Sequence, residues 1–206
     1  MNGNVANPWP LGFGVLGIAL WMLSVIPAGI AGPMGFDIAP GAMHGVFTVA
    51  MLGLLIAGIA AFLRRESWLG FFCLLWSGLF WASGFGFERA GGVRFEGWFL
   101  MTIALVNCYL WFAAWRSGKL GGAVSLMVLL LWVAFLCFGL NGFFGAWVLL
   151  RIGGALGLAS ALVAFYISAT TLAVTHYPER RYPGILYGET YPGEAYPGVA
   201  PRDPRI

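Results

Sequence analysis

The chain has 206 residues, of which 60% are hydrophobic, 17% aromatic and 9% charged, with a formal net charge of +3 and a mean hydropathy of +0.85. A soluble domain carries roughly 25% charged residues, so too few polar side chains are present to cover a water-facing surface. Soluble, disordered, nucleic-acid-binding and disulfide-scaffold classes are excluded, and the composition predicts an all-α integral membrane protein with the lipid bilayer as its solvent.

A bilayer core takes about 20 apolar residues of helix, and six runs fit: Leu11–Ile30, Pro40–Leu63, Ser67–Phe87, Gly97–Trp115, Gly121–Leu140 and Trp147–Val174. Pro27 is expected to kink the first helix or end it early, because it lacks an N–H and its ring crowds the preceding turn. The breaks are Pro33–Asp37, Arg64–Glu66, Glu88–Arg94, Arg116–Lys119 and, most weakly, Asn141–Gly145. These connections are too short to fold independently, so residues 1–175 form one six-helix domain.

Lys and Arg set the orientation. With the N-terminus inside, the inner segments hold Arg64, Arg65, Arg116, Lys119, Arg180, Arg181, Arg202 and Arg205, against Arg89, Arg94 and Arg151 outside. Both termini are therefore predicted to be cytoplasmic, in a multi-pass protein of the cell inner membrane. Residues 176–206 change character, with Tyr-Pro-Gly at 182–184, 191–193 and 196–198. Such a segment favours turns and extended chain over helix, and is either a loosely ordered cytoplasmic tail or a strip that binds a partner.

Small residues mark where helices meet in lipid. The last run carries Gly153, Gly157 and Ala161 at four-residue spacing, and the second carries Gly53, Ala57 and Ala61; spacing does not say whether such pairs form within or between subunits. Trp9, Trp68, Trp98, Trp115 and Trp147 sit at run ends, as an interfacial belt would place them. Trp76, Trp81 and Trp132 lie deeper, for core or subunit contacts.

Nothing in the chain points to an enzyme, a metal or a cofactor. His44 and His176 stand far apart, Cys73, Cys108 and Cys137 lie singly in apolar runs, and Asp37, Glu66, Glu88, Glu96, Glu179, Glu189, Glu194 and Asp203 all avoid the middle of a run. A proton relay built on a buried carboxylate is disfavoured. The polar groups within the runs are neutral, among them Ser24, Ser77, Asn107, Ser160, Tyr166, Ser168 and Thr170. They suit either the lining of a narrow path for a small polar solute or bonding to nearby backbone.

The stretch Asn7-Pro8-Trp9-Pro10-Leu11-Gly12-Phe13 resembles the Asn-Pro-Ala-Pro-Leu-Gly-Leu signature of the acetate uptake transporters, also called succinate–acetate permeases. Gly78-Leu79-Phe80-Trp81 resembles that family's Gly-x-Phe-Trp, and the Gly153-to-Tyr166 pattern resembles its last helix. The resemblance covers nearly all of residues 7–175. It implies a six-helix bundle assembled as a homohexamer, each protomer a permease or channel for acetate-like monocarboxylates, by proton coupling or by channel-like permeation. Its solute would meet Asn7, Pro8, Pro10, Leu11 and Gly12, where the two prolines are expected to hold helix formation off until Leu11 and leave unpaired N–H groups facing a carboxylate. Asn7 either serves the solute or merely caps the helix.

Departures from the family pattern fall at its pore. The family narrows its pore with an aromatic on the first helix, a Tyr on the third and a Leu on the fifth; the corresponding positions are Leu16, Ser77 and Leu129, with Tyr166 as a further lining residue. The rival expectation is a transport-inactive structural or accessory subunit of a larger membrane complex, with other membrane subunits as partners.

Overall fold

The structure is a computed structural model describing residues 6–30, 40–85, 92–117 and 120–176. The connection at 33–37, Glu88 and Arg89, Lys119, and the Tyr-Pro-Gly segment beyond His176 lie outside the described residues. The described residues form six helices: α1 (Trp9–Val25), α2 (Pro40–Leu63), α3 (Ser67–Phe85), α4 (Gly92–Ser117), α5 (Gly122–Phe144) and α6 (Trp147–His176). Apolar segments of α2, α4, α5 and α6 are long enough to cross a membrane, while α1 and α3 are shorter apolar helices. The chain is a multi-pass membrane protein.

Helix ends follow local chemistry. α1 stops at Val25, because Pro27 has no N–H to continue the ladder; Ala28 N–H still reaches Ser24 O at 2.9 Å, and Gly29 turns the chain at φ 75°. α2 ends in a Schellman turn, with Glu66 N–H bonded to Ala61 O and Arg65 N–H to Phe62 O, both at 2.9 Å. Arg65 takes the left-handed position at φ 63°. α5 runs through Asn141 and Gly142 to Phe144, correcting the expected break there. A glycine alone does not end a helix; Gly145 does so because it adopts φ 62° and returns its N–H to Asn141 O.

Adjacent helices pack antiparallel, in the order α4–α5–α6–α1–α2–α3. Gly12 lies against Ala57 and Gly53 against Val15; Gly70 meets Phe62, and Gly58 meets Leu74. Gly97 and Met101 face Gly142 and Gly139. α6 is wedged between two partners. A Cβ on Gly153 would meet Phe138 of α5, whereas one on Gly154 would strike the backbone of Pro27 and Ala28, and one on Gly157 would strike Ser24. The small-residue faces thus close helix pairs inside one chain.

Serine hydroxyls stitch the same seams. Ser77 Oγ donates to Met51 O at 2.8 Å, Ser160 Oγ to Met127 O at 3.1 Å, and Ser168 Oγ to Pro10 O at 2.7 Å. The outer surface is covered by large apolar side chains such as Ile18, Ile56, Trp81, Leu105 and Leu162, as lipid contact requires. Trp81 is therefore not a core residue. Trp76 is fully buried, and Trp132 stacks on Trp111 at 5.9 Å.

Candidate permeation site

α1 begins at Trp9, two residues before the expected start. Pro10 sits in the first turn, where a missing N–H breaks no helical bond, so the prolines admit the helix earlier than expected. Asn7 Oδ1 accepts the N–H of Trp9 at 3.1 Å. Gly12 N–H goes to Pro8 O at 2.9 Å, and proline offers no N–H. Of the first-turn donors, Leu11 N–H is the one left by these bonds. The cluster of unpaired amides expected for a carboxylate reduces to that one, and Asn7 Oδ1 is engaged by the chain's own Trp9 amide.

An acidic side chain already stands beside this terminus. Trp9 Nε1 donates to Glu66 Oε2 at 2.6 Å, and Arg64 Nε donates to Glu66 Oε1 at 3.1 Å. The α2–α3 turn is thereby held against the start of α1.

From Trp9 an unbroken run of rings enters the bundle. Trp9 stacks on Phe13 at 5.3 Å, and Phe13 on Phe72 at 5.9 Å. Phe72 also stacks on Trp68 at 5.1 Å, and Trp76 follows, packed on Phe80 at 5.6 Å and edge-on to Phe135 at 5.4 Å. Phe80 meets Phe47, and Phe135 meets Phe138. Trp68, Phe72, Trp76 and Phe80 recur every fourth residue, which places them on one face of α3. That spacing is visible in the sequence, and it marks the interior face better than the family motif does.

Leu16 is fully buried in the core beside Phe13, and Leu129 is half-buried on α5. Ser77 is buried with its hydroxyl committed to Met51 O of α2. The bulky group entering the interior from this turn of α3 is its neighbour Trp76. Tyr166 is 40% exposed and shares an outward stripe of α6 with Ala155, Leu162 and Ala169.

Most intramembrane polar groups bond to backbone, either across a seam as above or within their own helix, as Thr48 does to His44 O and Thr170 to Tyr166 O. The exceptions among the described residues are Ser24 Oγ, the indole nitrogens of Trp68 and Trp76, and Asn107 Oδ1, all buried with no hydrogen-bond partner. At the other end of the bundle the Arg151 guanidinium lies over the Trp147 ring, 4.7 Å from its centroid, with Gly29 alongside. Arg151 is exposed there, as a headgroup anchor would be.

No protein-family model matches the sequence, and no curated protein matches it. Among solved structures, the chain is similar to the bacterial acetate channel SatP, with 16% sequence identity and a TM-score of 0.77, over 90% of this chain and 100% of that one. The whole described bundle shares that channel's fold.

Proposed function

We propose that the protein is an inner-membrane permease or channel for acetate-like small carboxylates, working as a homohexamer with six crossings per protomer and both termini cytoplasmic. The observation that carries this reading is the fold shared with an acetate channel along that channel's full length. The antiparallel alternation of the six helices supports an even number of crossings, with α1 and α3 accommodated by local thinning. The solute enters past Asn7, Pro8, Pro10, Leu11 and Gly12 and is narrowed near Leu16 and Leu129. Residues 176–206 form the cytoplasmic tail.

The test is flux of labelled acetate into proteoliposomes, from mildly acidic to neutral pH, beside mass measurement in nanodiscs. Uptake above that of protein-free vesicles and a six-subunit mass support the reading. No flux at any pH rejects it.

A second reading, a transport-inactive subunit of a membrane complex, is favoured by the closed ring column from Trp9 to Phe135. Co-purification from native membranes with other chains, together with absent flux, supports that reading instead.

A further inference from the structure

Three contacts follow one another along the α1–α6 seam and end at Arg151. Ser24 lies against Gly157, and Pro27 and Ala28 lie against Gly154. Gly29 comes next: a Cβ there would stand 3.5 Å from Arg151 Nε, 3.7 Å from Cζ and 3.8 Å from one terminal nitrogen. The same guanidinium lies over the Trp147 ring, 4.7 Å from its centroid. A long, flexible side chain is thus held at two points, at the rim of the bundle.

Its hydrogen bonds are still to be made. A guanidinium carries five N–H donors, and among the described residues none of those on Arg151 meets an acceptor. The described carboxylates are Glu66, paired with Arg64 at the opposite end of the bundle, and Glu96 near the start of α4; neither forms an ion pair with Arg151.

What lies beside Arg151 is apolar. Trp147, Val148, Ile152, Ala155 and Leu162 are all exposed, and their spacing puts them with Arg151 on one side of α6. From Arg151 to Leu162 the helix advances about 16 Å at 1.5 Å per residue. Half of a hydrocarbon core of roughly 30 Å is about the same depth. This side of α6 therefore has a cation at its rim and an apolar stripe one leaflet deep. A free anion would use the first and leave the second unmatched, whereas an amphiphile uses both.

We propose that Arg151, held over Trp147 and against Gly29, binds the phosphate of an anionic glycerophospholipid whose acyl chain lies along Ile152, Ala155 and Leu162. The planar fork of N–H donors matches two phosphate oxygens at once. Stacking on the ring fixes the fork beforehand and reduces the ordering cost of binding. A choline headgroup brings its own cation up to the guanidinium, while a glycerol headgroup does not, so the lipid with net negative charge is preferred. The site rests on the chain's place in a membrane and is independent of the permease reading.

The experiment is native mass spectrometry of the purified wild-type oligomer, titrated with phosphatidylglycerol or with phosphatidylcholine of identical chains. Arg151→Gln, Arg151→Lys and Trp147→Leu are compared with it, and Arg116→Gln removes the same charge at the opposite end. Gel filtration checks that each variant keeps its assembly. Wild type should bind phosphatidylglycerol in preference to phosphatidylcholine. Arg151→Gln should weaken the phosphatidylglycerol adduct about tenfold and leave the phosphatidylcholine adduct little changed. Arg151→Lys and Trp147→Leu should fall between, since one keeps the charge without the fork and the other keeps the fork without the ring. Arg116→Gln should match wild type.

Undiminished phosphatidylglycerol binding in a folded Arg151→Gln would overturn the proposal, and so would an equal loss in Arg116→Gln. Displacement of the lipid by excess sodium acetate or inorganic phosphate would overturn it too, because the site would then serve a free anion. If Arg151→Gln lowers stability in lipid-free detergent and keeps the wild-type lipid preference, the residue only complements the end of α1, and the lipid site is refuted.

Discussion

Trp9 and Glu66, 57 residues apart, are joined by an indole-to-carboxylate hydrogen bond of 2.6 Å that ties the first turn of α1 to the turn between α2 and α3. A bond to a charged acceptor contributes about 1.5–3 kcal/mol when shielded, and partial exposure reduces it. Trp9→Phe and Glu66→Gln should each lower stability by about 1 kcal/mol in denaturation from mixed detergent–SDS micelles. The double variant should lose less than the sum. Full additivity would show that the pair is not coupled. The Arg64–Glu66 ion pair beside it is a quarter to a fifth exposed on its two sides, so Arg64→Ala should change stability by less than about 1 kcal/mol.

Arg65 holds a left-handed backbone conformation at φ 63°, which burdens a residue with a Cβ by about 1–2 kcal/mol. Arg65→Gly should stabilise the fold by about 1 kcal/mol, with the Schellman bonds from Arg65 and Glu66 retained. The same SDS titration measures it, and a loss of stability would contradict the turn geometry.

How far the sequence disclosed these features depends on which physical signal carries each one. Apolar length disclosed the six helices, and Pro27 correctly foretold the early end of α1. Glycine composition misplaced the end of α5, since the stop depends on the single left-handed Gly145 rather than on Gly142. At the site, motif alignment pointed to Ser77. One residue along a helix is a rotation of about 100°, so Ser77 faces the seam with α2 while its neighbour Trp76 faces the column of rings. Arg65 was legible as a charge in the break between α2 and α3, but its backbone strain was not, because charge says nothing about φ.

Gly154 and Gly78 provide a matched contrast. A Cβ on Gly154 would lie 2.6 Å from the Pro27 carbonyl carbon and 2.8 Å from Ala28 Cα, whereas one on Gly78 meets nothing within 4 Å. Backbone cannot swing aside as a side chain does, so Gly154→Ala should destabilise by about 3 kcal/mol, the upper end for overpacking. Gly78→Ala should be neutral or stabilise by up to about 1 kcal/mol through helix propensity. Equal effects in SDS denaturation would refute the close α1–α6 approach.

Ser77, Ser160 and Ser168 each donate across a different helix seam. Interhelical hydrogen bonds in membranes average about 0.6 kcal/mol. Alanine at each position should therefore cost about that much, and the triple variant about three times as much, because the seams are separate. If Ser77→Ala alone alters acetate flux without touching stability, that hydroxyl serves the solute and not the seam.

The pairing of α1 with α6 brings Pro10 and Ser168 together across 158 residues, and it has a consequence for biogenesis. When the ribosome delivers α1 to the bilayer, the surface built to receive it does not yet exist. Gly14, Gly17 and Ser24 stay uncovered until the last helix is translated, released from the translocon and slotted between α5 and α1. Closure of this face of α1 thus waits on the synthesis of α6. A chain truncated before α6 would leave an open groove along α1 at Gly14, Gly17 and Ser24.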